Sequence, residues 1–351
     1  MQFNIHKEFE LNGISFHNEK ELVLFSKTIS NSIFSFLSDF LNDNDIVHLQ
    51  TSGSTGSPEL IEIRKEHMVN SAGATGEFFD LKEGTKALLC MNPEFVAGKM
   101  MLLRAMVLGW KLDVVAVSMN PLKGIEKEYD FSAMVPLQVY NSIDELNKIK
   151  TLIIGGGIVS DALKNRLQSI SVEAYATYGM TETVTHIALK KLNHFLSDTE
   201  RIRSVYKILP NISISTDSRD CLVIEALKIA TDKVVTNDLV EIISDTEFQW
   251  LGRFDNIINS GGIKLIPEQI EEKLAEIISD RFFVSGIKDA VLGEKLVLII
   301  ESNQDSRFKI QDLKLKSLSK YEIPKEIYFL EKFIETQTKK VQRKKTLELL
   351  F

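Results

Sequence analysis

The run Thr51-Ser52-Gly53-Ser54-Thr55-Gly56-Ser57-Pro58 sets how the rest of the chain is understood. The strand-like Asp45-Ile46-Val47-His48-Leu49-Gln50 leads into it, and the alternating Leu60-Ile61-Glu62-Ile63 leads out. Hydroxyl side chains and glycines, with little bulk between them, make a loop whose backbone N–H groups and Oγ atoms can converge on an anion; triphosphate is the candidate. By itself the run fits an ordinary Ser/Gly turn between two strands equally well. It lacks the G-x-x-x-x-G-K-[ST] spacing, so no lysine is built in to reach a phosphate.

Before this run, residues 20–41 carry Leu22, Phe25, Ile29, Ile33, Phe36, Leu37 and Phe40 at helical spacing, which predicts one amphipathic helix feeding the first core strand. After it the pattern predicts a helix over 65–79, a strand over 87–90, a helix over 96–108 and a strand over 112–117. Strands alternating with helices imply an α/β fold, a largely parallel sheet covered on both faces. Ligands of such sheets bind beyond the carboxyl ends of the strands, where the 51–58 run is expected. Residues 119–150, with Pro121, Gly124, Pro136 and mixed charge, read as loop and short helices. A strand over 151–154 then ends in Gly155-Gly156-Gly157 ahead of a helix over 160–167, and a strand over 173–177 runs into Tyr178-Gly179-Met180-Thr181-Glu182-Thr183.

From about 207 to 250 short strands separated by turns predict a small antiparallel β subdomain. Arg253-Phe254-Asp255-Asn256 marks a boundary between a core of residues 1–253 and a C-terminal unit of residues 254–351. That unit is expected to hold a hairpin centred on Gly261-Gly262, a proline-opened helix over 267–277, strands over 290–301 and 326–330, and a helix near 310–318. Small domains on a polar hinge move against their partner, so it is expected to act as a lid.

Several residues stand out chemically. Glu182 between two threonines suits a magnesium ion that bridges phosphate oxygens, because hard cations take oxygen ligands; a helix N-terminus with Thr181 as cap would look the same. Lys99 and Arg104 sit beside Gly98 in an otherwise apolar helix, and a charge there needs a partner unless it points to solvent from the helix's polar edge. His186 alone reads first as a structural histidine. Net charge is −7, which argues against nucleic acid or an anionic membrane as the main partner. Cys90 and Cys221 lie in apolar runs and read as buried thiols rather than a disulfide framework or metal cluster. No leader pattern and no long apolar run are present, so the chain reads as a soluble cytoplasmic protein.

The motifs, read together as the 51–58 loop, Tyr178 to Thr183, Thr236-Asn237-Asp238, Gly252-Arg253-Phe254-Asp255 and Lys340-Val341-Gln342-Arg343, resemble in order the adenylate-forming acyl-CoA synthetase superfamily, from about Ile46 to the C-terminus. Within it the chain is most similar to the o-succinylbenzoate-CoA ligases of menaquinone biosynthesis. The resemblance implies ATP, Mg2+ and coenzyme A as co-substrates or cofactors and a small carboxylic acid as substrate. It places Thr51, Ser52, Gly53, Ser54, Thr55 and Gly56 on the phosphates, Gly155, Gly156 and Gly157 beside adenine, and Tyr178 with Gly179 and Met180 against the purine. Thr181 is implied for the α-phosphate, Glu182 for magnesium, and Asp238 and Arg253 for the ribose. Lys340 is implied to bridge the substrate carboxylate and the α-phosphate, Asp255 to be the hinge, and Ser260, Gly261, Gly262 and Lys264 to line a channel for coenzyme A.

Arg104, six residues after Gly98, matches an arginine associated in those ligases with the aromatic diacid; Lys99 and His186 would edge the same acyl pocket. A buried guanidinium can pair bidentately with the carboxylate that is not activated. Three positions depart from the pattern: Glu59 replaces a lysine, and Asn237 and Lys339 each replace a glycine. The region ahead of the loop is short for the superfamily, and a homodimer is one way to cover what that leaves exposed. Alternative readings are an acyl-AMP ligase that loads a carrier protein and a degenerate, non-catalytic nucleotide-binding protein.

Overall fold

The computed structural model describes residues 3–50, 60–194, 205–302, 318–336 and 341–351. The expected first helix is two helices, Glu19–Ile29 and Asn31–Phe40, broken at Ser30. Ser30 is extended, and its Oγ accepts from the N–H groups of Ser32 and Ile33, so it caps the second helix where the sequence periodicity shows no break. The apolar stripe of both helices packs on the core through Leu22, Ile33, Phe36, Leu37 and Phe40.

Strand Ile46–Gln50 pairs antiparallel with Leu60–Arg64 in a two-stranded sheet of its own, with Gln50 opposite Leu60. It therefore does not enter the parallel sheet as expected: two strands joined by a short connection close as a hairpin, whereas parallel neighbours need a crossover. The register sets Gln50 and Leu60, the residues on either side of 51–59, opposite each other.

The main sheet has 13 strands. From an edge hairpin of Ile14–Ser15 and Glu10–Leu11, its parallel part runs Glu10–Leu11, Lys111–Val114, Lys86–Leu89, Tyr129–Met134, Ile149–Ile154 and Glu173–Gly179, in that spatial order. Helices Lys65–Phe79 and Val96–Leu108 are as expected, and Asp161–Leu167 follows Ser160, whose side chain accepts from Leu163 N–H. Tyr129–Met134 corrects the reading of 119–150 as loop and short helices. Its polar members answer to distant partners: Ser132 donates to the Leu88 carbonyl, and Asp130 accepts from Lys86 N–H and pairs with Lys150. Those partners are invisible to local periodicity.

Beyond Glu173–Gly179 the sheet turns antiparallel, through His186–Lys191, Tyr206–Ile208, Glu247–Arg253, Val234–Ser244, Cys221–Glu225 and Ser213–Thr216. The antiparallel β region is thus hydrogen-bonded continuously to the parallel one. Large apolar clusters cover the two faces of the sheet.

The C-terminal unit has its own core around Ile258, Ile270, Leu274, Val284, Leu296 and Leu298. Helix Pro267–Leu274 lies beside a five-stranded sheet of Ile258–Ser260, Ile263–Leu265, Phe282–Asp289, Gly293–Glu301 and Glu326–Leu330. Phe282–Asp289 was not expected, because Gly286 interrupts its apolar run; it pairs along its whole length with Gly293–Glu301. The helix expected near 310–318 falls almost wholly outside the described residues. Cys90 and Cys221 are both buried and free, with burial pushing the Cys90 thiol up to about 12. Among the described residues no helix is long and apolar enough to cross a membrane.

Candidate active site

Tyr178 is the penultimate residue of strand Glu173–Gly179, and the paired strands Val234–Ser244 and Glu247–Arg253 set Asp238 opposite Arg253. Three side chains converge on the Asp238 carboxylate: the Tyr178 hydroxyl donates at 2.7 Å, Trp250 Nε1 at 3.2 Å and Arg253 Nη1 at 3.4 Å. Burial and the adjoining carboxylate raise the pKa of Tyr178, so the phenol stays protonated and a donor. Its ring meets Phe248 edge-on at 5.2 Å and Tyr206 at 5.6 Å. A carboxylate has about four lone-pair positions, so three donors leave room for one more. Arg253 is the most distant of the three and the most exposed, hence the one that would yield to a diol.

Arg253 Nη2 also donates to Asp255 at 3.1 Å, and Asn237 Nδ2 donates to the same carboxylate oxygen at 3.2 Å. Tyr178, Asp238, Arg253 and Asp255 therefore form one connected network. Asn237, where the family pattern has glycine, contributes a side chain to it. Gly155, Gly156 and Gly157 leave strand Ile149–Ile154 at the end where Tyr178 leaves its parallel neighbour, Ile154 being level with Ala176. A Cβ on Gly155 would fall 2.6 Å from Thr177 Oγ1, and Gly156 has φ +78°, so neither tolerates a side chain.

Thr181–Thr183 is a single 3-10 turn rather than the start of a helix. Thr183 Oγ1 accepts from Met180 N–H, and Thr185 N–H donates to the Thr183 carbonyl at 2.7 Å. That last bond closes a γ-turn in which Val184 takes φ 66° and ψ −57°, a costly backbone for a β-branched residue. The strain falls beside Glu182, and strained backbone concentrates at working sites. Glu182 is exposed and makes no ion pair among the described residues, and no group of three metal ligands occurs among them. Its carboxylate suits a magnesium ion whose other oxygens come from phosphates and water.

A second cluster lies in the core. Arg104, on helix Val96–Leu108, is fully buried, with Nε 3.2 Å from Thr75 Oγ1 and Nη2 3.5 Å from His186 Nδ1. His186 Nε2 lies 3.4 Å from the same Thr75 hydroxyl. Burial lowers the Arg104 pKa to about 9, which leaves it a cation at neutrality. Burial and the Arg104 charge hold His186 well below the ordinary histidine value. No carboxylate pairs with Arg104 among the described residues.

Lys99 is not part of this cluster. It reaches the other way, 5.9 Å over the Phe36 ring, and burial lowers its pKa. Gly98 is explained by packing, since a Cβ there would sit 2.5 Å from the Asn92 carbonyl oxygen. Gly179 likewise lies against the backbone of Thr185 and His186.

In the C-terminal unit, Ser260 pairs with Ile263 across a two-residue turn, and Gly261 and Gly262 have φ +58° and +82°, as a primed hairpin turn requires. Lys264 and both glycines are exposed. Thr51, Ser52, Gly53, Ser54, Thr55, Gly56, Glu59, Lys339 and Lys340 lie outside the described residues. The chain flanking 337–340 is pinned by a bridge between Glu335 and Val341, by Gln342 N–H to the Ile334 carbonyl, and by Arg343 to Glu271 at 2.7 Å.

The sequence reading missed Thr75 and Trp250. Thr75 is a polar residue one turn after Ser71 in a buried helix, the same kind of signal that singled out Arg104. Trp250 and Asp238 belong to neighbouring strands, and nothing local links them.

Residues 38–216 match a family described as AMP-binding enzyme. The 2-succinylbenzoate–CoA ligase of Lactococcus lactis subsp. lactis is 22% identical over 330 residues, which cover 88% of this chain and 72% of that protein. A solved acyl-CoA synthetase (AMP-forming)/AMP-acid ligase II-like protein from Dyadobacter fermentans is 38% identical, with TM-score 0.61 over 91% of this chain and 94% of its own. The o-succinylbenzoate coenzyme A synthetase of Bacillus subtilis, solved in complex with ATP and a magnesium ion, shares the fold at 17% identity, with TM-score 0.72 over 94% of this chain and 82% of its own.

Proposed function

Since the chain belongs to the AMP-binding enzyme family and its relatives are CoA ligases, we propose that it activates an aromatic dicarboxylate, o-succinylbenzoate, as an acyl-adenylate and converts it to the coenzyme A thioester used in menaquinone biosynthesis. One observation carries the choice of a diacid: Arg104 is buried and cationic without a carboxylate among the described residues. A buried charge left so costs several kcal/mol unless a ligand completes it. The second carboxylate of a diacid would do so while the first is activated.

A carboxylate oxygen of the substrate attacks the α-phosphorus of ATP and pyrophosphate leaves, giving the mixed anhydride. The coenzyme A thiol, losing its proton, then attacks the acyl carbon and AMP leaves. The barrier to the first step is largely electrostatic, because two anions meet and charge grows on the phosphorus oxygens. Lys340 and the hydroxyls of Ser52, Ser54 and Thr55 would face that charge, with Thr181 at the α-phosphate. Asp238 would hold the ribose, kept in place by Tyr178 and Trp250. Magnesium held by Glu182 would neutralise phosphate charge. The lid would carry Lys340 away about Asp255 and bring Ser260, Gly261, Gly262 and Lys264 to the pantetheine arm.

Pyrophosphate release over a panel of carboxylic acids tests the reading, with o-succinylbenzoate expected to stand out over monoacids of similar size. Arg104→Ala is expected to raise the KM for o-succinylbenzoate roughly a hundredfold, the scale of about 3 kcal/mol for a lost buried charge pair, and to leave the KM for ATP nearly unchanged. Equal effects on both substrates would remove Arg104 from the acyl site.

A further inference from the structure

Three elements meet at Arg104, and one arrangement of protons satisfies all of their contacts. Thr75 Oγ1 donates its single proton to the Ser71 carbonyl at 3.1 Å, so toward Arg104 and His186 it acts only as an acceptor. Arg104 Nε fills one lone pair at 3.2 Å. The other faces His186 Nε2 at 3.4 Å, which must therefore carry the ring proton. His186 Nδ1 is then the bare nitrogen, and it faces two groups able to donate, Arg104 Nη2 and Thr185 Oγ1, each at 3.5 Å. Every contact is satisfied by a neutral ring protonated on Nε2, whereas a ring protonated on Nδ1 turns a donor toward Arg104 Nη2 and keeps only the contact to Thr185 Oγ1 while Thr75 donates to Ser71. With Nε and Nη2 engaged, Nη1 makes no hydrogen bond among the described residues.

We propose that His186 is the positioning residue of the anion subsite: as a neutral Nε2–H imidazole it accepts from Arg104, donates to Thr75, and so turns the Nη1 edge of the guanidinium toward the substrate's second carboxylate. This rests on the diacid reading for its ligand, but not for its geometry. The environment keeps the ring neutral. Helix Lys65–Phe79 faces it with Thr75, strand Glu173–Gly179 with the Gly179 backbone, the turn just ahead of its own strand with Thr185, and helix Val96–Leu108 with Arg104, the one charge that bears on it. A protonated ring would place a second cation beside the guanidinium and lose the Nδ1 acceptor. The contacts of 3.4 and 3.5 Å are long, and have room to shorten as a carboxylate loads the guanidinium.

The test has two parts on the full chain. Long-range 15N–1H spectra of histidine-labelled protein distinguish the two neutral tautomers from the charged ring; the signal absent in His186→Gln identifies this one among the six histidines. The ring is expected to be neutral and Nε2-protonated at pH 7. In kinetics, His186→Leu is expected to raise the KM for the dicarboxylate about tenfold, the scale of one net hydrogen bond, without a matching rise for ATP. His186→Gln, whose amide offers both a donor and an acceptor, should recover most of that loss. A ring protonated on Nδ1, a charged ring at pH 7, an equal rise in both KM values, or no recovery with glutamine overturns the proposal. A flat response across the acid panel would instead overturn the diacid reading and leave the tautomer result standing.

Discussion

Asp238 shows how much of the site depends on single donors. Its carboxylate takes bonds from Tyr178, Trp250 and Arg253 within one buried corner. Tyr178→Phe keeps the ring against Phe248 and deletes only the hydroxyl. A hydrogen bond to a charged group is worth about 1.5–3 kcal/mol, so melting should show a loss of that order and the KM for ATP should rise by roughly tenfold or less. If neither changes, Asp238 does not depend on Tyr178. His186 gives a pH dependence at the same scale. Its folded pKa is held below the unfolded value of about 6.5, so below that pH the unfolded chain binds the extra proton. The stability involved is present above pH 6.5 and drains away as pH falls toward the folded pKa, at up to about 1.4 kcal/mol per pH unit. Thermal melts between pH 7.5 and 5 should show a decline that is shallower in His186→Gln; parallel curves would contradict it.

At the scale of elements, Gly98 is held by packing more than by any ligand. Alanine there gains about 1 kcal/mol of helix propensity, but its Cβ would meet the Asn92 carbonyl, backbone that cannot rotate away. Overpacking of this kind costs about 1–3 kcal/mol, and the clash should win. Gly98→Ala is expected to lower the melting temperature by a few degrees; a rise would show that the loop at Asn92 gives way easily. Much at this scale was legible in the chain. Helices Lys65–Phe79 and Val96–Leu108 declare themselves by apolar spacing, and Arg104 by its charge inside such a stretch. What stayed hidden depends on distant partners. Ser30 ends one helix and caps the next without disturbing the apolar period. Tyr129–Met134 carries Asp130 and Ser132, whose partners lie on neighbouring strands. Hairpin Ile46–Gln50 and Leu60–Arg64 reads locally like part of the parallel sheet and closes on itself instead. Of the candidate site, the residue types were legible, and the family resemblance set Arg104 and His186 at one pocket; that Thr75 joins them from a third element was not legible, and Lys99 turns elsewhere.

At the scale of the molecule, the C-terminal unit has its own core and meets the larger part at Phe254–Asn256, beside the corner where Arg253 and Asn237 share Asp255. A movement of the lid would therefore be felt at Asp238. Lys340 lies between the anchored Ile334–Glu335 and Val341–Arg343 segments, so it would travel with the lid. The account turns on this cation reaching the α-phosphate in the first half-reaction and withdrawing for the second. The most direct measurement is pyrophosphate release by Lys340→Ala with o-succinylbenzoate, set beside thioester formation by the same variant from preformed acyl-adenylate and coenzyme A. Removing one preorganised charge-stabilising group typically costs about 10²–10³ in rate, so release should fall by that factor while thioester formation stays within a few-fold of the unaltered enzyme. Undiminished pyrophosphate release would contradict the account.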